Sequence, residues 1–265
     1  ITTDKAGRYE IEKRIYTDPD GQALVVRTTI RALRGDITAY LLLEPHMANT
    51  GVGDRGDVWN TQASAEGDLI VEAGAALHAS EGDVHLSLET AKALSAVSVG
   101  FVGVSDGLTD LRDGRLDNLY RTTGDQTGNI MLTGQLPTIH EGETYEQDFV
   151  IGFGSNQRLA RVAAWETMET GLDEVLRRFN GEGDRVGWED YIASLDQLPR
   201  LAEQSTDGGR LAYASALMLK VQEDRTHAGA LIASLSNPWG DTVDASKPST
   251  GYKAVWPRDF YQVAM

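Results

Sequence analysis

Cysteine is absent from the 265-residue chain, which excludes disulfides, thiolate metal sites and a cysteine nucleophile. That absence suits the cytosol and export alike, so it leaves the compartment open. Basic residues are scarce: 24 Lys and Arg stand against 40 Asp and Glu, a net charge of −16. Nucleic acid and anionic bilayers are bound by clustered cations, so neither is expected as a partner. No apolar run approaches the roughly 20 residues needed to cross a membrane. Ile1-Thr-Thr-Asp-Lys5 carries neither an initiator Met nor the apolar core of a signal peptide. An acidic surface suits a neutral partner, and it equally serves solubility alone.

Familiar chemical motifs are missing too. There is no Gly-x-Ser-x-Gly elbow, so a serine hydrolase of that type has no support. The histidines His46, His78, His85, His140 and His227 are not spaced as zinc ligands. Gly51-Val-Gly-Asp-Arg-Gly56 lacks the Gly-Lys-Ser/Thr helix start of a phosphate loop. Asp106-Gly-Leu-Thr-Asp-Leu-Arg-Asp-Gly114 is rich in carboxylates but lacks the register of a calcium loop, and reads as a solvated turn. No cofactor and no metal are expected.

What is present changes character along the chain. Residues 1 to about 155 read as strands. Tyr9–Tyr16 and Ala23–Ile30 flank Asp18-Pro-Asp-Gly21, which supplies hairpin-turn chemistry. Thr38–Glu44 is a continuous apolar strand, expected to be buried on both faces. Asp68–Ala73, Ala75–Ser80, His85–Leu88, Val97–Val104, Gly128–Leu136 and Thr144–Phe153 follow, with turn signals between them. Near residue 156 the period switches. Leu159, Val162, Trp165, Met168, Leu172, Val175, Leu176 and Phe179 recur at steps of three or four, which predicts one long amphipathic helix. Asn180-Gly-Glu-Gly183 ends it. Shorter helices are expected around Trp188–Leu195 and Arg210–Gln222. Strands first and helices second imply an all-β domain followed by a separate α-domain.

The last residues hold the densest chemistry. Tyr252, Trp256, Arg258 and Asp259 bring aromatic faces beside a charged pair, a combination that can stack on a sugar ring and grip its hydroxyls. Helix-start rules explain the same residues without any ligand: Pro257 suits the first helical position, and Asp259 suits the positive end of the dipole.

Trp256-Pro-Arg-Asp259, with Asn237-Pro-Trp-Gly-Asp241 and Leu231-Ile-Ala-Ser-Leu-Ser236 upstream, resembles glycoside hydrolase family 15, in particular bacterial glucoamylases and glucodextranase. The likeness extends back to Thr3-Asp-Lys-Ala-Gly-Arg-Tyr9 and Tyr16-Thr-Asp-Pro-Asp20. It implies an antiparallel β-sandwich over 1–155, a helical linker over 156–205 and the opening of an (α/α)6 barrel over 206–265. It further implies that Tyr252 and Trp256 wall the subsite for a terminal glucose, while Arg258 and Asp259 bond its hydroxyls.

The implied reaction is inverting, exo-acting hydrolysis of an α-glucan or dextran, releasing β-glucose in a secreted enzyme. Such catalysis needs an acid and a base, roughly 6.5–9.5 Å apart. The family places both downstream of the Trp-x-Arg-Asp element, and no catalytic residue is assigned in this chain. The chain is therefore expected to be a segment truncated at both ends, inactive alone. The remainder of the barrel, in the same polypeptide or as a separate chain, would be its partner. Two alternatives stand beside this reading: an α-glucoside phosphorylase or transferase of similar architecture, and a non-catalytic carbohydrate-binding β-sandwich module.

Overall fold

A computed structural model describes residues 1–49, 51–60, 75–183, 186–224, 227–233, 254–258 and 261. The chain divides into two compact units, Ile1–Phe179 and Asn180–Met265. The first contains strands β1 (Thr2–Thr3), β2 (Tyr9–Thr17), β3 (Ala23–Ala32), β4 (Tyr40–Leu43), β5 (Arg55–Asn60), β6 (Ala75–Glu81), β7 (Val84–Thr90), β8 (Ala96–Phe101), β9 (Ile130–Gln135) and β10 (Thr144–Gly154). Seven form one antiparallel sheet in the order β1-β2-β3-β10-β7-β6-β5, and three form a second in the order β4-β9-β8.

The β2–β3 hairpin turns where Asp18-Pro-Asp-Gly21 predicts it. Asp18 N–H donates to the Ala23 carbonyl at 2.9 Å, and the Asp18 carboxylate accepts from Asp20 N–H at 2.9 Å. Alternation then sorts side chains between two faces. On β3, Ile30 and Ala32 point into the space between the sheets, and Ala23 and Val25 point the other way. The inter-sheet core gathers Leu77, Leu86, Leu88, Val99, Ile130, Leu132, Phe149 and Ile151 from both sheets. This is a β-sandwich, followed by helices, as expected.

The other face of the large sheet is covered by helices α2 (Gln157–Thr170) and α3 (Leu172–Asn180); a single-turn helix α1 (Gly107–Asp110) lies earlier, after β8. One long helix was expected over this stretch, and the structure has two. The break falls at Gly171, whose φ of +86° suits a residue without Cβ and whose N–H caps the Met168 carbonyl. The buried seam of α2 also differs from the predicted face. Ala160, Ala164 and Thr167 are buried, whereas Leu159 is exposed. The reason lies under the helix, at Gly152 and Gly154 of β10. A Cβ on Gly152 would strike the Ala160 carbonyl and Ala164 N–H, and one on Gly154 would strike Ala160 N–H. Small residues on both sides let the two backbones touch.

Polar ties fix this layer. Thr167 Oγ1 donates to the Asp18 carboxylate at 2.7 Å, both groups being buried, and Tyr16 Oη donates to the Leu172 carbonyl at 2.9 Å. Arg27 of β3 bridges Asp148 at 3.1 Å and also pairs with Asp173 of α3.

Three further expectations are corrected. Strand β4 is not buried on both faces, because Leu42 is exposed at the surface of the small sheet. β5 forms next to the glycine-rich run, where no strand was expected; Gly56 sits against Val99 and Ile130, so only glycine fits there. Val102–Val104 leave strand β8 for a turn. The strand expected at Asp68–Ala73 lies outside the described residues.

In the second unit the described helices are α4 (Trp188–Ala193), α5 (Leu198–Gln204) and α6 (Arg210–Val221). α4 and α6 match the expected helices, and α5 was not foreseen. Gly181 and Gly183, with φ of +100° and +89°, provide the turn before α4. Neither α4 nor α6 has a fully buried residue.

Candidate functional site: the segment after helix α6

The chain leaving α6 folds back on itself. Glu223 and Leu231 form an antiparallel bridge, and Ile232 N–H donates to the Gln222 carbonyl at 3.0 Å. The intervening turn is pinned by carboxylates. Asp224 accepts from His227 N–H at 2.7 Å, and Glu223 accepts from Gly229 N–H at 2.6 Å. Lys220 and that Gly229 N–H hold the Glu223 carboxyl below its ordinary range.

Ala254 joins the same turn through its carbonyl, which accepts from Ala233 N–H at 3.2 Å. Residues 254–258 are thereby tethered beside the end of α6. Pro257 and Arg258 have helical backbone conformation, so the helix starts where proline at its first position predicts. Trp256, 50% exposed, stands immediately before that start, and the Arg258 side chain is exposed one residue into it. The structure thus presents an indole and a guanidinium together on one exposed helix entry. Tyr252 and Asp259 lie outside the described residues.

Polar groups in the first unit gather in ways the sequence did not signal. His78 and His85 meet across β6 and β7: their rings stack at 5.3 Å between centroids, with ring nitrogens 3.1 Å apart. Burial and the neighbouring His85 push His78 down to about 4, with Asp57 opposing. Nearby on this face, buried Glu89 accepts from Ser87 Oγ at 3.0 Å and lies 3.4 Å from Arg161 of α2, whose guanidinium covers the Trp59 ring. Burial raises the Glu89 carboxyl.

At the start of β5, Asp54 is fully buried, and neither carboxylate oxygen has a hydrogen-bond donor. Burial above all, with Glu81 adding to it, raises it to about 6. Among the described residues no group of three His, Asp or Glu side chains is placed to hold a metal ion. The Asp106–Gly114 stretch, expected as a solvated turn, instead forms helix α1 and a 3-10 turn over Leu111–Asp113, because buried Asp106 caps the helix start. Asp106 caps α1 through Thr109 N–H at 2.9 Å, and Asp110 accepts from the backbone N–H groups of Asp117 and Asn118 at 2.8 and 2.9 Å.

Comparison with known proteins gives these features a setting. Residues 1–193 match the family model "Glucodextranase, domain N", and residues 207–265 match "Glycosyl hydrolases family 15". The chain belongs to the glucodextranase N-domain family and continues into the start of a glycoside hydrolase family 15 domain. A glucoamylase of Clostridium sp. (strain G0005) is 31% identical over 267 aligned residues, covering 100% of this chain and 34% of that protein. A bacterial glucoamylase, crystallised as a complex with acarbose, superposes with a TM-score of 0.70 at 29% identity, over 99% of this chain and 35% of its own. The chain spans about a third of the length of these relatives.

Within the family frame, the sandwich lies in the stretch matched by the N-terminal domain, and the Trp256–Arg258 entry lies in the stretch matched by the family 15 domain. The expected resemblance and the order of strands before helices both hold. The histidine pair, buried Asp54 and the Glu89–Arg161 contact were missed because strand pairing and the packing of separate elements assemble them, and no short-range spacing marks such packing.

Proposed function

We propose that this chain is part of an inverting, exo-acting α-glucan hydrolase of the glucoamylase or glucodextranase type. In this reading Trp256 and Tyr252 wall the subsite of the non-reducing terminal glucose, and Arg258 and Asp259 hydrogen-bond its hydroxyls. The observation that carries it is the exposed pairing of Trp256 and Arg258 at a helix start, inside the stretch that matches the family 15 model. The chemistry suits a neutral sugar. An aromatic face packs on ring C–H groups, while a guanidinium fork donates to adjacent hydroxyls. The related glucoamylase bound to acarbose supports the ligand class.

Hydrolysis with inversion requires one carboxylic acid to protonate the glycosidic oxygen and one carboxylate to activate water across the ring. We assign neither to this chain, so alone it is inactive. The rest of an (α/α)6 barrel, in the same polypeptide or a second one, supplies them. Export of the parent enzyme belongs to the same reading. The exposed apolar residues Leu211, Met218 and Leu219 of α6 are then surfaces for neighbouring barrel helices.

The test uses the complete enzyme and maltooligosaccharides. Arg258→Ala removes charge-assisted hydrogen bonds and is expected to lower kcat/KM about 10- to 100-fold, with an unchanged melting temperature. Wild-type kcat/KM in that variant would overturn the assignment, as would robust hydrolysis by residues 1–265 alone.

A further inference from the structure

We propose that the recess beside α1, on the sandwich itself, is a second carbohydrate site that holds a short stretch of neutral α-glucan. The recess has a volume of about 300 Å³ and is bounded by Val104, Asp106, Arg112, Asp113, Asn118 and Tyr120. That volume is at the small end of ligand pockets. Its lining mixes the two components that sugar recognition needs. Tyr120 is 46% exposed and Val104 77%, with Leu108 and Leu119 also exposed in the same loop region. Of these, Val104 and Tyr120 line the recess itself and supply its exposed apolar component. Between them Arg112, Asp113 and Asn118 offer planar donors and acceptors at the recess wall.

The wall is built before any ligand arrives. Asp106 accepts from Gly103 N–H and from both the N–H and Oγ1 of Thr109, the last at 2.8 Å. Asp110 holds Asp117 and Asn118 through their backbone N–H groups, and it also binds the Asn118 amide. Tyr120 is clamped on both sides of its peptide: its N–H donates to Ser98 Oγ at 3.0 Å, and its carbonyl accepts from Val99 N–H at 2.9 Å. Ser98 Oγ in turn donates to the Asn118 carbonyl at 2.8 Å. A fixed wall loses little entropy on binding.

Charge narrows the ligand class. Asp106, Asp110 and Asp113 outnumber Arg112, which disfavours phosphates and acidic peptides. No described trio of ligating side chains is placed for a metal ion. A neutral polyhydroxyl chain remains, and its apolar ring faces match Tyr120. The choice of α-glucan rests on the proposed function; the recess itself is formed wholly by residues of the first unit. A glucan held there keeps a polymer attached between cleavage events, which raises its effective concentration at the terminal-glucose subsite.

The test is gel retardation of the 265-residue chain in soluble starch and in dextran. Wild type and the Trp256→Ala/Arg258→Ala variant should both be retarded, whereas Arg112→Ala/Tyr120→Ala should weaken retardation about threefold or more. Should the double variant misfold by circular dichroism, the exposed single change Arg112→Gln decides, with a smaller loss expected. Equal retardation of recess variants and wild type overturns the proposal, and so does a wild-type chain that neither polymer retards. Full retardation with kcat/KM untouched by Arg258→Ala would sink the terminal subsite and leave the recess standing.

Discussion

The sandwich unit and the helices after Asn180 solve the burial problem differently. In residues 1–179 the apolar side chains of two sheets close on each other, and α2 and α3 seal the remaining face. In the second unit α6 turns Leu211, Met218 and Leu219 toward water, and no residue of α4 or α6 is fully buried. Tertiary burial, more than helix propensity, stabilises helices of this length. The contrast separates a scaffold that holds itself together from helices that present side chains.

The sharpest way to break that contrast is in the sandwich core. Leu77 is completely buried between the sheets, and Leu77→Ala is expected to cost about 2–5 kcal/mol in urea unfolding of the chain. A change below about 1 kcal/mol would mean that the core repacks freely. Next come the two buried titratable groups, Asp54 and His78. Asp54, raised to about 6, contributes stability that is complete below its unfolded value near 3.8 and is lost as pH rises through 6. His78, lowered to about 4, works the other way: its contribution is complete above about 6.5 and is lost as pH falls through 4. Each amounts to about 2–3 kcal/mol, so in wild type the two largely cancel between pH 4 and 6.5. Asp54→Asn should leave a stability that climbs with pH across that window, and His78→Gln one that falls. Identical pH slopes in both variants would sink the assignment.

The smallest effect belongs to the second unit. Met218 is 59% exposed, and Met218→Ala should change the stability of this chain by less than about 0.5 kcal/mol. In the complete enzyme the same change should cost about 1 kcal/mol or more, measured by thermal inactivation, because the proposed barrel would bury it. Equal small effects in both would argue against a barrel neighbour for α6.

The sequence made some of this legible and hid the rest for physical reasons. Hairpin chemistry at Asp18–Gly21 and the alternation in Ala23–Ile30 are local signals, and the β2–β3 hairpin follows them. The helix start at Pro257 is local as well, which is why Trp256 and Arg258 could be placed together. By contrast, the large residues Leu159, Val162 and Trp165 suggested a buried helical face, while close packing chose Ala160, Ala164 and Thr167 instead. Which face of a helix is buried depends on what lies beneath it, and Gly152 and Gly154 come to lie under α2 only because the chain turns back on β10 after Gly154. His78 and His85 likewise look unrelated until the β6–β7 register sets them side by side.

The contact of α2 on β10 has one more implication. Where two backbones meet through glycine and alanine, no side chain can bend to absorb a shift, so the joint has no play. Helix α2 cannot creep along the strand by one residue, since that would drive a larger side chain into Gly152. A shift by a full turn, roughly 5.4 Å, fares no better, since it would carry Met168 into the place of Ala164 or Asn156 into that of Ala160. Neighbouring loops can vary in length and composition while this one seam keeps the helical layer indexed to the sheet.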